Sequence, residues 1–324
     1  MFTFQDVQQK IEREIARIQF VNPPKSLYEP IVYTLSLGGK RIRPALLLMA
    51  CNLYQDEIES AMQPALGLEV FHNFTLLHDD LMDEADMRRN QPTVHKQWSP
   101  NAAILSGDAM LIYAYRLFEG VQDGLLKPVL QLFTTTALEI CAGQQFDMEF
   151  ETRQDVTEAE YIEMIRLKTA VLLACALKMG AMLGKAPEAE QEVLYRLGIH
   201  MGLAFQLQDD LLDVYGDTAV FGKQLGGDIV SNKKTFLLIN ALQRATGREK
   251  AVLTDWISRK TFNPEEKIAA VTQVYNQLGL KELTENKIQV YYKEAMDSLG
   301  MLNVPTERLA YLKEVCTRLM YRQS

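Results

Sequence analysis

No proline interrupts the chain between Pro128 and Pro187, or between Pro187 and Pro264. Apolar residues fill both gaps at i, i+3 and i+4, as in Tyr161, Ile162, Ile165, Leu172, Leu173 and Ala176. That period belongs to helices and not to strands. Prolines elsewhere stand where helices begin. Ser99-Pro100 and Asn263-Pro264-Glu265-Glu266 each read as an N-cap followed by Pro at the first helical position. Alternating Val-, Ile- and Thr-rich runs closed by Asn-Gly turns are absent. The expected fold class is all-α, with ten or more helices and short polar connections. Length alone predicts about two domains, but no Gly-, Ser- or Pro-rich linker divides the chain, so one domain over residues 1–324 is expected.

Composition narrows the function. The chain is 48% hydrophobic and 23% charged, enough apolar matter for a large core. A net charge of −8 supplies no basic field for nucleic acid. The longest apolar stretch, Thr169 to Gly184, is broken by Lys178 and is too short for a bilayer, so no integral membrane part is expected. Residues 1–20 have helical spacing and no apolar leader, which makes a cytoplasmic protein the expectation. Cys51, Cys141, Cys175 and Cys316 form no CxxC pair and are expected to be reduced and buried. His72, His78, His95 and His200 form no HxxxH or HExxH pair, against zinc-hydrolase chemistry.

The most informative feature is an echo. Leu77-His78-Asp79-Asp80-Leu81-Met82-Asp83 returns 130 residues later as Leu207-Gln208-Asp209-Asp210-Leu211-Leu212-Asp213. On a helix, the first and last Asp of DDxxD stack on one face, one turn apart. Like charges so close repel, and Asp is a poor residue inside a helix. A cation resolves the conflict. Oxygen donors without Cys or His point to Mg²⁺, which binds through few carboxylates plus substrate phosphates. Two clusters on separate helices suggest facing walls of one cavity.

Cationic groups follow each cluster. Arg88-Arg89 comes after the first; Gly222-Lys223, Gly226-Gly227-Asp228 and Lys233-Lys234-Thr235 come after the second. A third basic element is Gly38-Gly39-Lys40-Arg41-Ile42-Arg43-Pro44, where a helix opening at Pro44 would add its free N–H groups to Lys40, Arg41 and Arg43. Arg forks and Lys point charges suit phosphate oxygens. Acid for Mg²⁺ and base for phosphate together imply a diphosphate ligand.

These residues resemble the trans (E-type) polyprenyl diphosphate synthases. The resemblance rests on GGKRIRP (38–44), LLHDDLMDEADMRRNQPTVH (76–95), GQQFD (143–147), KTA (168–170), FQLQDDLLD (205–213), GKQLGGD (222–228) and KKT (233–235). It implies antiparallel helices around a deep central cavity, in a homodimer. Asp79, Asp83 and Asp209 would bind up to three Mg²⁺ ions bridging an allylic diphosphate, with Asp80, Asp210 and Asp213 supporting them. Arg88, Lys168, Thr169, Gln206, Lys223 and Lys233 match the positions that hold that diphosphate, Lys168 and Lys223 taking part in catalysis. Lys40, Arg43, His72 and Arg89 match those for isopentenyl diphosphate. Asn90 stands where the family commonly has Gly; Asn tolerates the left-handed region, so the turn should survive.

The chemistry so implied is electrophilic coupling. An allylic diphosphate (dimethylallyl, geranyl or farnesyl) ionises, isopentenyl diphosphate attacks, and a proton is lost. Class I terpene cyclases share an Asp-rich helix but need no isopentenyl site, and a non-catalytic partner subunit of a heteromeric synthase is expected to lose Asp or Arg from these motifs. Product length turns on the helix before Asp79. Thr75 and Phe74 lie about 6–7.5 Å below it at 1.5 Å per residue, and Phe71 a turn deeper. One aromatic at this level resembles twenty-carbon synthases, so geranylgeranyl diphosphate is the expected product, with farnesyl diphosphate the alternative.

Overall fold

The computed structural model describes residues 1–20, 23–216 and 225–320. They are overwhelmingly helical, as the proline pattern predicts, and form two compact units.

The first unit comprises residues 1–133, 176–192 and 303–312. It opens with α1 (Phe4–Arg17), started by a Thr3/Asp6 capping box and burying Val7, Ile11 and Ile15 at four-residue intervals. Next come α2 (Lys25–Ser36), α3 (Ile42–Asn52) and α4 (Glu59–Met82). Every residue of α3 from Pro44 to Asn52 is buried. A two-residue hairpin, β1 (Met87–Arg88) with β2 (Gln91–Pro92), follows α4. Its turn residues Arg89 and Asn90 have φ of 51° and 61°. Asn90 therefore takes the left-handed turn without the family's glycine. Then come α5 (Val94–Gln97) and α6 (Pro100–Arg116), with Ser99 accepting from the Ala102 N–H as its N-cap.

The helix α7 (Asp123–Thr152) begins in the first unit and enters the second, which comprises 134–175, 193–302 and 313–324. After α7 come α8 (Glu158–Ile165), one turn of i→i+5 helix over Arg166–Ala170, α9 (Val171–Leu183) and α10 (Glu188–Tyr215). The chain continues through α11 (Gly227–Ser231), α12 (Phe236–Arg244), α13 (Gly247–Ser258), α14 (Pro264–Gln277), α15 (Leu280–Leu299) and α16 (Thr306–Met320). Asn263 caps α14 through the N–H groups of Glu265 and Glu266, as its sequence requires. Phe150, Tyr161, Leu203, Leu207, Phe236 and Ile288 pack in the core of the second unit.

One expectation needs correction. Cys51, Cys175 and Cys316 are buried free thiols, but Cys141 is exposed, since it faces outward from α7. Among the described residues, one helix, α7, is long and apolar enough to cross a bilayer, whereas the 169–184 stretch is largely core. Only 22% of the most apolar 18-residue window of α7 is buried.

Candidate active site

In the first unit, the loop into α3 is built for close approach. Gly38 and Gly39 have φ of 76° and 145°, and a Cβ on Gly39 would stand 2.9 Å from Arg89 Nη2. Only glycine lets that guanidinium lie on the backbone, where Arg89 Nη1 donates to the Gly38 carbonyl. Gln8 of α1 donates to the Lys40 carbonyl at 3.2 Å. From α3, Arg43 Nη1 lies 3.0 Å from His72 Nε2 of α4. Burial brings the Arg43 pKa down to about 10. Burial, with Arg43 and other guanidinium groups nearby, pushes His72 well below the usual histidine value. His72 is thus a neutral acceptor that aims the Arg43 fork. Burial also lowers Arg89. Cations held down in this way gain from an arriving anion.

Arg41 does not join them. It is 3% exposed at φ 49°, with Nε 2.8 Å from Glu12, Nη1 2.7 Å from Glu69 and Nη2 2.9 Å from the Leu35 carbonyl. The expectation that it adds to the phosphate-binding charge is overturned, because two carboxylates already neutralise it.

The first Asp cluster sits at the end of α4. Asp83 is the C-cap, its N–H donating to the Asp79 carbonyl at 2.8 Å. Carboxylates at the negative end of a helix dipole are unfavourable without a counter-cation. Asp80 is buried, and Arg88 grips it with Nε and Nη2, each at 2.6 Å. Asp80, Arg88 and Arg89 line a small cleft with Tyr33, Asn73 and Thr93. Below Asp79, Phe74 packs on His78 at 4.8 Å and on Phe71 at 5.5 Å, and Phe71 meets Phe133 edge-on at 5.0 Å. The Thr75 hydroxyl turns back to the His72 carbonyl at 2.8 Å. His78 carries no predicted role, yet it steadies Phe74 and reaches the Ile104 carbonyl at 3.2 Å.

The second unit holds the other cluster. Asp210 is buried and accepts from the Tyr161 hydroxyl and, at 3.0 Å, from Gln206 Nε2. Thr169 donates to Gln206 Oε1 at 3.1 Å, so Thr169 and Gln206 both serve Asp210. Lys168 Nζ lies 2.6 Å from Asp147. The i→i+5 turn that carries Lys168 and Thr169 needs Gly143, where a Cβ would fall 2.4 Å from the Lys168 nitrogen. Asp213 Oδ2 accepts from the Asp228 N–H at 3.0 Å. Burial raises Asp210 despite the pull of Lys233, and burial with Asp210, Asp213 and Asp147 nearby raises Asp228 to about 7. Asp147, Tyr161 and Asp228 went unassigned in the sequence. Asp147 and Asp228 lie inside quoted motifs, whereas nothing in the sequence marks Tyr161. Lys223 lies outside the described residues.

Carboxylate oxygens at the end of α4, where the helix dipole disfavours negative charge, are hard donors that a hard cation relieves, so the donor set fits Mg²⁺. Among the described residues, no three acidic, His or Cys side chains converge on one point. Such a site is completed by substrate phosphate and water.

The polyprenyl synthetase family model matches residues 24–277. The chain belongs to this family. It is accordingly a prenyltransferase. A geranylgeranyl diphosphate synthase from Methanosarcina mazei is 36% identical, over 94% of this chain and 92% of that protein. A solved geranylgeranyl pyrophosphate synthase is 43% identical and superposes over the whole of both chains with a TM-score of 0.95. Another, from Corynebacterium glutamicum and complexed with isoprenyl diphosphate and magnesium, is 28% identical over 98% of both chains, with a TM-score of 0.86.

Proposed function

We propose that this polyprenyl synthetase is a Mg²⁺-dependent trans-prenyltransferase that condenses isopentenyl diphosphate with allylic diphosphates (dimethylallyl, geranyl and farnesyl) to give geranylgeranyl diphosphate. The observation that carries the reading lies within the first unit. The carboxylates ending α4 share that unit with a cationic cleft formed by Arg88 and Arg89, and with the Arg43–His72 pair.

Asp79, Asp83 and Asp209 would hold up to three Mg²⁺ ions, whose charge offsets that growing on the leaving diphosphate as the allylic C–O bond breaks. Asp80, fixed by Arg88, and Asp210, fixed by Tyr161 and Gln206, stiffen the helices that carry these ligands. Lys168, Lys223 and Lys233, with Arg88, hold the allylic diphosphate. Lys40, Arg43 and Arg89 hold isopentenyl diphosphate, and neutral His72 sets the angle of the Arg43 fork. The proton lost as the trans double bond forms goes to the departing diphosphate. Apolar walls at Phe74 and Phe71 keep water from the cation. The Phe74 ring beside the short Thr75 side chain sets the floor for a twenty-carbon chain.

We further infer that residues 1–324 act as one domain, since the family model runs through segments of both units. A second copy pairs on the apolar faces that α6 and α7 each leave exposed. Ile104, Leu105 and Ile112 project from α6, and Leu138, Phe146 and Met148 from α7. Four free thiols suit a reducing cytoplasm.

The test is incubation of the pure chain with Mg²⁺, labelled isopentenyl diphosphate and each of the three primers, followed by sizing of the products. A twenty-carbon product is expected. Consumption of allylic diphosphate without isopentenyl diphosphate would make it a cyclase, and no turnover by the chain alone would make it a partner subunit.

A further inference from the structure

Lys267, near the start of α14, lies outside every motif of the site, yet it is completely buried. Among the described residues it forms no ion pair. Its ammonium donates instead to the Val230 carbonyl at 2.9 Å and to Asn232 Oδ1 at 2.7 Å, and stands 4.3 Å from the centre of the Phe262 ring. Burying an ammonium among neutral partners is expensive, and a methionine would fill similar space without that penalty. What the charge holds is therefore informative.

Val230 belongs to the last turn of α11, where carbonyls lack partners within the helix. Asn232 caps that helix at φ 57° and turns the chain into Lys233. The Lys233 N–H then returns to the Asp228 carbonyl at 2.9 Å. At its other end the segment is tied to α10, with the Gly226 N–H on the Asp213 carbonyl at 2.7 Å and the Asp228 N–H on the Asp213 carboxylate at 3.0 Å. Residues 226–233 are thus pinned from two sides, by Asp213 of α10 and by Lys267 of α14.

We infer that Lys267 is a positioning residue that, through Val230 and Asn232, sets where the 226–233 segment presents Lys233 to the allylic diphosphate. The inference rests on the reading of Lys233 given above. Lys267 touches no substrate, so its loss leaves the isopentenyl diphosphate site unaltered and loosens only the hold on the allylic partner.

The experiment measures KM for geranyl diphosphate and for isopentenyl diphosphate, kcat and Tm in Lys267→Met, Lys267→Arg, Asn232→Gly and Lys233→Ala. Glycine at 232 keeps the positive φ while removing the amide, so it tests the contact even where Lys267→Met folds poorly. Lys267→Met and Asn232→Gly should each raise the KM for geranyl diphosphate about tenfold and leave that for isopentenyl diphosphate within about twofold. The effect of the double variant should fall well short of the two single effects combined, because the Lys267–Asn232 contact is lost in both. Lys267→Arg, which keeps a donor, should recover most of the loss. Equal rises in both KM values, or a fall in Tm with both unmoved, would reduce Lys267 to a structural residue and overturn the inference. A raised KM for geranyl diphosphate in Lys233→Ala but not in the other variants would also overturn it, leaving the reading of Lys233 intact. An unmoved KM in Lys233→Ala would overturn that reading and the inference together.

Discussion

Removing the Arg41 guanidinium should cost more stability than its place in a surface-facing motif suggests. Arg41 and Glu69 are 3% and 2% exposed, and the pair at 2.7 Å is joined by Asn73 Nδ2, 3.0 Å from the same Glu69 oxygen. Arg41→Met strands the Glu69 carboxylate in the core with one amide for company. Breaking a buried pair in this way costs about 3–5 kcal/mol. Glu12, 44% exposed at its side chain, returns to water at little cost. Unfolding entropy of about 2.1 cal/mol/K per residue gives about 0.7 kcal/mol/K for the chain, so Tm should fall by about 4–7 °C. The double variant Arg41→Met/Glu69→Leu leaves no stranded charge and should recover most of that loss. It should nevertheless keep a raised KM for isopentenyl diphosphate, because Arg41 also anchors the backbone between Lys40 and Arg43. Thermal melts followed by circular dichroism, paired with steady-state kinetics, read both effects. A single variant that melts within about 2 °C of the parent, or a double variant that melts below the single one, would refute the account.

Four further outcomes are expected. Asp79→Ala, Asp83→Ala and Asp209→Ala should each lower kcat by on the order of 10²-fold or more at saturating Mg²⁺; near-normal turnover in any of them removes that residue from the metal site. Arg43→Ala should raise the KM for isopentenyl diphosphate, and Lys168→Ala that for the allylic substrate, each contact being worth about 1.5–3 kcal/mol; equal effects on both substrates would dissolve the two-site map. His72 is held neutral in the fold by burial and by Arg43, so the unfolded chain binds the extra proton as pH drops below about 6.5 and stability falls there; His72→Gln should flatten that part of the pH–stability curve. Phe74→Ala should lengthen the product by one or more five-carbon units and Thr75→Phe should shorten it, whereas chromatography showing no change in either would put the floor elsewhere.

The helices were legible because their signals are local. Proline gaps, the Ser99 and Asn263 caps and the apolar period all act within a turn or two of sequence, and each appears as expected. The resemblance marked Arg43 with His72 for one substrate and Thr169 with Gln206 for the other, and the structure places each pair in contact. The site was illegible where a partner lies outside every motif and is chemically ordinary. Tyr161 reaches Asp210 across 49 positions, and Lys267 reaches Val230 across 37, with nothing to distinguish them from any core tyrosine or surface lysine. Arg41 misled for a related reason. A cation beside Lys40 and Arg43 looks like a phosphate ligand until Glu69, 28 residues away, is seen to hold it.

The repeated DDxxD hides a division of labour that spacing cannot express. In each cluster the middle carboxylate is buried and tied to the protein, Asp80 by the fork of Arg88 and Asp210 by Tyr161 and Gln206. Both oxygens of an aspartate so held are engaged by protein donors, which suits it to fix the turn that carries its neighbours. The third positions then diverge. Asp83 caps α4, where the helix dipole calls for a cation, whereas Asp213 lies inside α10 and gives one oxygen to the Asp228 N–H. Identical spacing thus allows unequal roles, in keeping with the proposal of two ligands from the first cluster and one from the second. That asymmetry follows from where each helix ends, and α10 runs on to Tyr215 while α4 stops at Met82.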